Sequence, residues 1–199
     1  MKKLLFLLLG VVLIAKEQLY VHVPSALPSS ATNTSFGREL LVLIDDAKEE
    51  ISFAIYGLRG QDAVLEALLR EKKRGVRIKE VVDSDAHGNN YYTDTHKLYE
   101  HFQVVSDGKS YIMHNKFFII DKKTLWSGSA NISDTGTGGY NANNAITTDD
   151  KRVVSLYQEE FDEMFDAKKF STKKSKRGYE QIKTEESLIS VYFSPKSNT

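Results

Sequence analysis

The stretch that decides the fold is IMHNKFFIIDKKTLWSGSAN, residues 112–131. Its first part, residues 112–120, is rich in β-branched and aromatic residues and predicts a strand. Because successive side chains of a strand point to opposite faces, His114 and Lys116 are predicted to share a face with Phe118. Two polar groups on such a face break the pattern of a core strand, since an unpaired buried lysine is costly. We therefore expect His114 and Lys116 to be functional.

The second part of the stretch supplies groups that bind oxyanions. Asp121 follows the end of the predicted strand, where its carboxylate can orient a neighbouring residue or accept a hydrogen bond. Gly128 allows the backbone to approach a ligand closely, Ser129 contributes a hydroxyl and Asn131 an amide. These groups predict a binding site for a phosphoryl or similar oxyanion.

Cleavage of a phosphodiester needs a nucleophile, positive charge over the non-bridging oxygens and an acid for the leaving oxygen. His114 can provide the nucleophile, and Lys116 and Asn131 can provide the oxyanion contacts. The stretch contains no residue for the acid. The acid must therefore come from elsewhere.

Helix and strand patterns alternate before this stretch. Apolar residues recur at helical spacing from Leu40 to Ile51 and within Asp62–Lys73, and Gly75 ends the second helix. Short apolar runs predict strands at Ile51–Tyr56 and Val76–Val82.

The pattern continues with a helix at about Thr93–Phe102 and strands at Leu125–Ser127 and Asn144–Thr148. A last amphipathic helix is capped by Asp149 or Asp150. Such alternation predicts an α/β layer structure with a substantially parallel sheet, whose functional groups gather in loops at the strand ends.

The amino terminus has the pattern of a signal peptide. Lys2 and Lys3 precede an uncharged, mostly aliphatic run from Leu4 to Ala15. This run is apolar on every face, unlike an amphipathic core helix, and is shorter than a usual membrane span. We expect export to a periplasmic or extracellular location, with residues 1–15 either removed or kept as a membrane anchor.

Composition excludes several classes of chemistry. Lys plus Arg and Asp plus Glu number 27 each, so the net charge does not indicate a polyanionic partner. The absence of cysteine excludes thiol catalysis, disulfides and cysteine-ligated zinc. Asp83, Asp85 and His87 alternate as metal ligands can, but a polar loop after a strand favours turn formation over metal binding.

The pattern His114-x-Lys116-x4-Asp121, followed after six residues by Gly128-Ser129-x-Asn131, resembles the signature of the phospholipase D superfamily. The resemblance covers about residues 19–165. It implies a phospholipase D-like module at 16–165, with a mixed, mostly parallel β-sheet flanked by helices on both faces.

The resemblance also implies the roles of the site residues. His114 would attack phosphorus to form a phosphohistidine, while Lys116, Ser129 and Asn131 hold the phosphoryl oxygens and Asp121 supports the site. A second histidine, from a second copy of the motif, would protonate the leaving group. No metal or cofactor is implied.

One position departs from the family pattern. Single-motif nucleases of the superfamily tend to place a glutamate near the strand after the motif, where it orients the catalytic histidine. Asn143 stands there and can accept a hydrogen bond, but adds no negative charge to raise the basicity of His114.

The carboxyl-terminal part, residues 166–199, predicts a basic linker and the start of a second, absent module. Residues 168–177 contain six Lys or Arg, and Leu188–Phe193 has strand character. Because the chain holds one motif, the resemblance implies either a homodimer that pairs two His114 residues or a partner module outside this chain.

Three functions remain open on the sequence. The first is hydrolysis of a phospholipid headgroup diester, consistent with export and association with a membrane. The second is a metal-independent nuclease acting on DNA or RNA, for which the basic stretch 168–177 could follow a phosphate backbone. The third is an inactive phosphate-binding half-module of a two-module protein.

Overall fold

A mixed sheet with helices on both faces forms the centre of this computed structural model, which describes residues 15–25, 27–86, 90–108, 112–175, 179–184, 187–195 and 197. The strands among these residues are β1 (Glu17–His22), β2 (Glu50–Ile55), β3 (Leu58–Arg59), β4 (Arg77–Val82), β5 (Gln103–Ser106), β6 (Lys116–Ile120), β7 (Thr124–Gly128), β8 (Ile132–Ser133), β9 (Asn143–Thr148), β10 (Glu180–Lys183) and β11 (Leu188–Val191). The α-helices are α1 (Ser35–Asp45), α2 (Asp62–Lys73), α3 (Thr95–His101) and α4 (Lys151–Phe165).

Seven of the described strands form the main sheet, in the order β1-β9-β7-β6-β2-β4-β5. Strands β2, β4 and β5 pair in parallel, whereas the other four pairings are antiparallel. The predicted mixed α/β sheet is confirmed, but its parallel part is smaller than predicted. The reason is the connection from β6 to β7, because Asp121–Lys123 is too short for the crossover that a parallel pair requires.

Two apolar layers hold the helices on the sheet. On one face, α1 and α2 cover a layer in which the rings of Phe53 and Phe118 stack with centroids 4.6 Å apart. On the other face, α4 buries Phe161 against Phe117 and Ile119 of β6. Helix α4 begins as predicted, because the Asp150 side chain accepts a hydrogen bond from the backbone N–H of Arg152.

Strand β6 begins later than predicted. The sequence predicts a strand from Ile112, but the ladder with β2 starts at Lys116. The backbone N–H of Met113 donates to Oδ2 of Asp83 at 2.6 Å instead of to a neighbouring strand. His114 therefore lies just before the strand, while Lys116 and Phe118 share the face of β6 that was predicted for them.

Part of the carboxyl-terminal segment packs on α4, although most of its described residues between 166 and 175 are exposed, and the predicted basic linker with the start of a second module stays a prediction. Phe170, Ile182 and Val191 are buried in the same apolar layer as α4. The Lys174 ammonium pairs with the fully buried carboxylate of Glu160. Strands β10 and β11 form an antiparallel hairpin within this segment.

The predicted signal peptide or anchor at 1–15 lies, except for Ala15, outside the described residues and stays a prediction. No helix among the described residues combines the length and apolar character needed to cross a membrane.

Candidate active site

Strand direction brings the predicted site residues, except Asp121, to one edge of the main sheet. The carboxyl ends of β2, β4 and β5 lie together because these strands are parallel. Antiparallel pairing of Lys116 with Ile55 adds the amino end of β6. The next antiparallel pairs add the carboxyl end of β7 and the amino end of β9. We call this edge the active edge.

Lys116 is a buried cation at the active edge. The residue is 6% exposed, and its ammonium donates a hydrogen bond to the backbone carbonyl of His114 at 2.9 Å. None of the ion pairs among the described residues includes Lys116. Burial lowers the pKa of Lys116 to about 8, because desolvation penalises the charged form. An anion bound here would restore the lost electrostatic stabilisation.

His114 presents an exposed imidazole next to this cation. Its ring lies edge-on to the ring of Tyr56, with centroids 5.4 Å apart. Desolvation lowers the pKa of His114 below its usual value, and the positive charge of Lys116 lowers it further. The imidazole is therefore mostly neutral near pH 7 and carries the lone pair that a nucleophile needs.

Ser129 lies on the turn after β7. Its hydroxyl donates to Oδ1 of Asn143 at 2.9 Å and accepts from the backbone N–H of Asn144 at 3.0 Å. The structure thus places Asn143 beside Ser129, and the described hydrogen bonds of Asn143 join it to Ser129 and Asn141. Asn143 orients the serine hydroxyl rather than the histidine.

Asn131 follows on the same turn, and its Oδ1 is buried without a hydrogen-bond partner among the described residues. Its side chain also forms a hydrogen bond with Tyr92. The turn is tight, because a Cβ at Gly136 would lie 2.1 Å from the backbone oxygen of Asn131. Only glycine at this position permits such a close approach of the two backbone segments. The tight turn holds the side-chain amide of Asn131 at the active edge.

Two tyrosines connect the histidine side of the site to the asparagine side. The Tyr56 ring packs edge-on against Tyr92, with centroids 4.9 Å apart, and also against His114. The sequence did not single out Tyr56 as part of the site. The available signal was the position of Tyr56 directly after a strand whose carboxyl end reaches the active edge.

Asp83 is a third residue whose role the sequence did not reveal. Asp83 is fully buried and accepts hydrogen bonds from the backbone N–H groups of Met113 and Asp85. By binding Met113, the carboxylate positions the segment that carries His114. His87 lies outside the described residues, and the described part of the chain contains no cluster of acidic or histidine side chains able to hold a metal ion.

The structure does not bring Asp121 to the other predicted site residues. It follows the far end of β6, about 16 Å from Lys116 by the rise of a strand. Its carboxylate accepts hydrogen bonds from the backbone N–H groups of Lys48, Glu49 and Glu50. The described contacts of Asp121 thus lie at the opposite end of β6 from the active edge, and its predicted support of the site stays a prediction.

The arrangement joins a neutral imidazole, a buried unpaired ammonium, a hydroxyl and an amide at one edge of an α/β sheet. These are the groups required for attack on a phosphodiester and for binding its oxygens. Fold and site together define the class of phospholipase D-like phosphodiesterases. The chain belongs to this superfamily, because the family described as "Cardiolipin synthase, PLD-like domain" matches residues 40–165, more than half of its length.

Relatives with curated descriptions agree with this class. A mitochondrial cardiolipin hydrolase of Xenopus tropicalis is 27% identical over 147 residues, which cover 74% of this chain and 69% of that protein. A phospholipase D of Rickettsia prowazekii (strain Madrid E) is 32% identical over 118 residues, covering 57% of this chain and 55% of that protein. The match thus spans little more than half of the rickettsial relative.

Solved structures show the same fold. NucT from Helicobacter pylori superposes with a TM-score of 0.62 at 22% identity, covering 75% of this chain and 95% of that one. The phospholipase D family member Nuc from Salmonella typhimurium superposes with a TM-score of 0.58 at 23% identity, covering 75% and 93%. These similarities confirm the predicted fold class.

Proposed function

We propose that this protein hydrolyses a phosphodiester through a covalent phosphohistidine formed on His114. The observation that carries the proposal is the neutral His114 imidazole beside the buried, unpaired ammonium of Lys116. A lysine at 6% exposure without a carboxylate partner is costly unless an anion completes its surroundings. A substrate phosphate supplies that anion.

In the first step, a ring nitrogen of His114 attacks phosphorus, the P–N bond forms and the bond from phosphorus to the leaving oxygen breaks. A second, protonated imidazole gives its proton to that oxygen. Lys116 and the side chains of Ser129 and Asn131 stabilise the non-bridging oxygens, once the Ser129 hydroxyl turns its proton from Asn143 towards the substrate.

In the second step, water attacks phosphorus and gives a proton to the second imidazole, which is now neutral. The P–N bond breaks, the phosphomonoester leaves and His114 regains its lone pair. Two described histidines lie at this end of the sheet, His114 and His22. His22 pairs with Asn143 of β9, and its Nε2 is engaged with the backbone oxygen of Gly139 at 2.7 Å, so it is not available as the acid. The second imidazole is therefore assigned to His114 of a second copy of this chain, related by a two-fold axis, or to a partner module.

A phospholipid headgroup diester is the first candidate substrate. The names of the curated relatives, cardiolipin hydrolase and phospholipase D, support this choice. Nucleic acid is the second candidate, supported by the exposed side chains of Lys168, Lys169 and Lys173 on the basic stretch. An inactive half-module would bind phosphate without hydrolysing any of these substrates.

Replacement of the nucleophile tests the proposal. With bis(4-nitrophenyl) phosphate as substrate and a chelator present, we expect His114→Ala to lower kcat by at least about 10³-fold. His96→Ala is the matched control, because His96 is an exposed histidine on α3 and should keep full activity.

Trapping the intermediate gives an independent measurement. An alkaline quench at short times, followed by mass spectrometry, should show the substrate phosphoryl group on the peptide that contains His114. A His114→Ala protein that retains full activity, or an active enzyme that never carries this adduct, would contradict the proposal. A folded wild-type protein that binds phosphate and cleaves no diester would support the half-module alternative.

A further inference from the structure

A cavity of about 610 Å³ opens directly beside His114. One wall is the segment Ile112–Asn115, and α4 contributes Met164. The remaining wall comes from the carboxyl-terminal segment, at Phe170–Lys174 and at Tyr192–Pro195. The volume lies within the range of small-molecule binding sites in proteins. A ligand group in this cavity would lie next to the imidazole of His114.

Apolar side chains dominate the cavity wall. Met113, Met164 and Phe170 are at most 8% exposed and form part of the apolar layer of α4. Phe193 is held by the edge-on packing of its ring on Tyr157, with centroids 5.1 Å apart. These contacts hold a preformed apolar surface. Binding of a ligand therefore loses little free energy in ordering these side chains.

The charges in the wall do not suit a second phosphate. Lys174 is already neutralised by the buried carboxylate of Glu160, and its ammonium also donates to the backbone oxygen of Ser194 at 3.0 Å. Asp107 adds a negative charge to the wall. A polynucleotide would place a further phosphate near the scissile one, whereas a lipid diester carries uncharged glyceride and acyl groups there.

We infer that this cavity is a subsite for the glyceride and acyl part of a lipid phosphodiester. The described residues of the carboxyl-terminal segment that line the cavity, at 170–171, 174 and 192–195, then form a specificity element beside His114. This inference rests on the proposed phosphodiesterase function and adds the substrate class and the residues that select it.

A pair of diesters that differ only in acyl chains tests the subsite. Dihexanoyl phosphatidylcholine, used as monomers, carries two short chains, and glycerophosphocholine carries none. We expect kcat/KM to be at least about 100-fold higher for the acylated diester, because each buried methylene favours binding. A ratio near one in an active protein would overturn the inference and leave the proposed function standing.

Tyr192 and Tyr179 provide a matched pair of variants. Their rings stack on each other with centroids 5.1 Å apart. Tyr192 lines the cavity, whereas Tyr179 is not among its described lining residues. Tyr192→Glu should lower the ratio of the two kcat/KM values about tenfold, since it places a charge against the acyl chains. Tyr179→Glu breaks the same ring stack and should keep the wild-type ratio; an equal fall in both variants would contradict the assignment.

Direct competition does not depend on any variant. Dihexanoylglycerol should inhibit hydrolysis of bis(4-nitrophenyl) phosphate competitively at concentrations at which glycerol has no effect. Failure to inhibit would overturn the subsite. Plasmid DNA cleavage that Tyr192→Glu slows tenfold would instead make a nucleotide the occupant, and failure of wild type to cleave any diester would reject the proposed function itself.

Discussion

The proposed mechanism requires opposite protonation states of two neighbouring residues at the active edge. In this mechanism His114 must be neutral to attack, and its pKa is lowered by desolvation and by the charge of Lys116. Lys116 must be charged to hold phosphate, and burial lowers its pKa to about 8. The two residues therefore work together only in the pH window between these values.

This window predicts the pH profile for an activated diester. With bis(4-nitrophenyl) phosphate, whose leaving group departs without an acid, kcat/KM should rise with pH through the lowered pKa of His114. It should fall above about pH 8, when Lys116 loses its proton. A profile that stays flat well above pH 8 would show that the charge of Lys116 is not required.

An alkyl diester should behave differently, since its leaving oxygen needs a proton from the second imidazolium. Its optimum is expected at lower pH than that of the aryl diester, because one imidazole must then be protonated while the other is neutral. Steady-state rates of both substrates over the same buffers provide the comparison. Coincident profiles would contradict a histidine acid.

At the scale of elements, Asp121 links the far end of β6 to the start of β2. Burial acts to raise the pKa of Asp121, but hydrogen bonds from the backbone of Glu50, Glu49 and Lys48 lower it overall. A folded-state pKa below the unfolded one stabilises the fold above the unfolded value of about 4, and this contribution is lost as pH falls.

Asp121→Ala should therefore destabilise the fold by about 2–4 kcal/mol, because three backbone N–H groups lose a charged acceptor. Urea unfolding at neutral pH measures this loss, and it should shrink in acid. Asp166→Ala, at an exposed helix end, is the control and should change stability by less than about 0.5 kcal/mol.

Asp121→Ala also tests whether Asp121 contributes to catalysis or only to the stability of the fold. In the folded fraction, kcat of Asp121→Ala should stay within about threefold of wild type, since the carboxylate lies far from the active edge. A loss comparable to that of His114→Ala, with unchanged stability, would return Asp121 to the catalytic residues.

Element boundaries show where sequence patterns stop being informative. The strand pattern from Ile112 is continuous, yet β6 starts at Lys116 because Met113 binds the buried carboxylate of Asp83. Residues 168–177 have the composition of a basic linker, and most of those described are exposed, yet the ammonium of Lys174 pairs with buried Glu160. In both cases a partner distant in sequence overrides the local pattern.

For the whole molecule, the proposed mechanism needs two imidazoles, and His114 would supply one of them. A homodimer across a two-fold axis would pair two His114 imidazoles and complete the site. Light scattering should then give twice the mass of one chain for the active species.

Subunit mixing tests whether both histidines are needed. Exchange of wild-type chains with a tenfold excess of His114→Ala chains should lower activity per wild-type chain to about one tenth, because most wild-type chains then lack an intact mate. An excess of His96→Ala chains should have no such effect. Unchanged activity with the His114→Ala excess would indicate that each chain works alone or with another module.

The sequence by itself determined the α/β class, the motif from His114 to Asn131, and the face shared by Lys116 and Phe118. These features depend on residue type and short spacing, which the chain carries locally. Only the tertiary structure decided that the Asp121 carboxylate binds the backbone of residues 48–50 and that the carboxyl-terminal segment borders the cavity beside His114. Strand order and long-range packing decide those placements, and both arise from contacts between residues far apart in the chain.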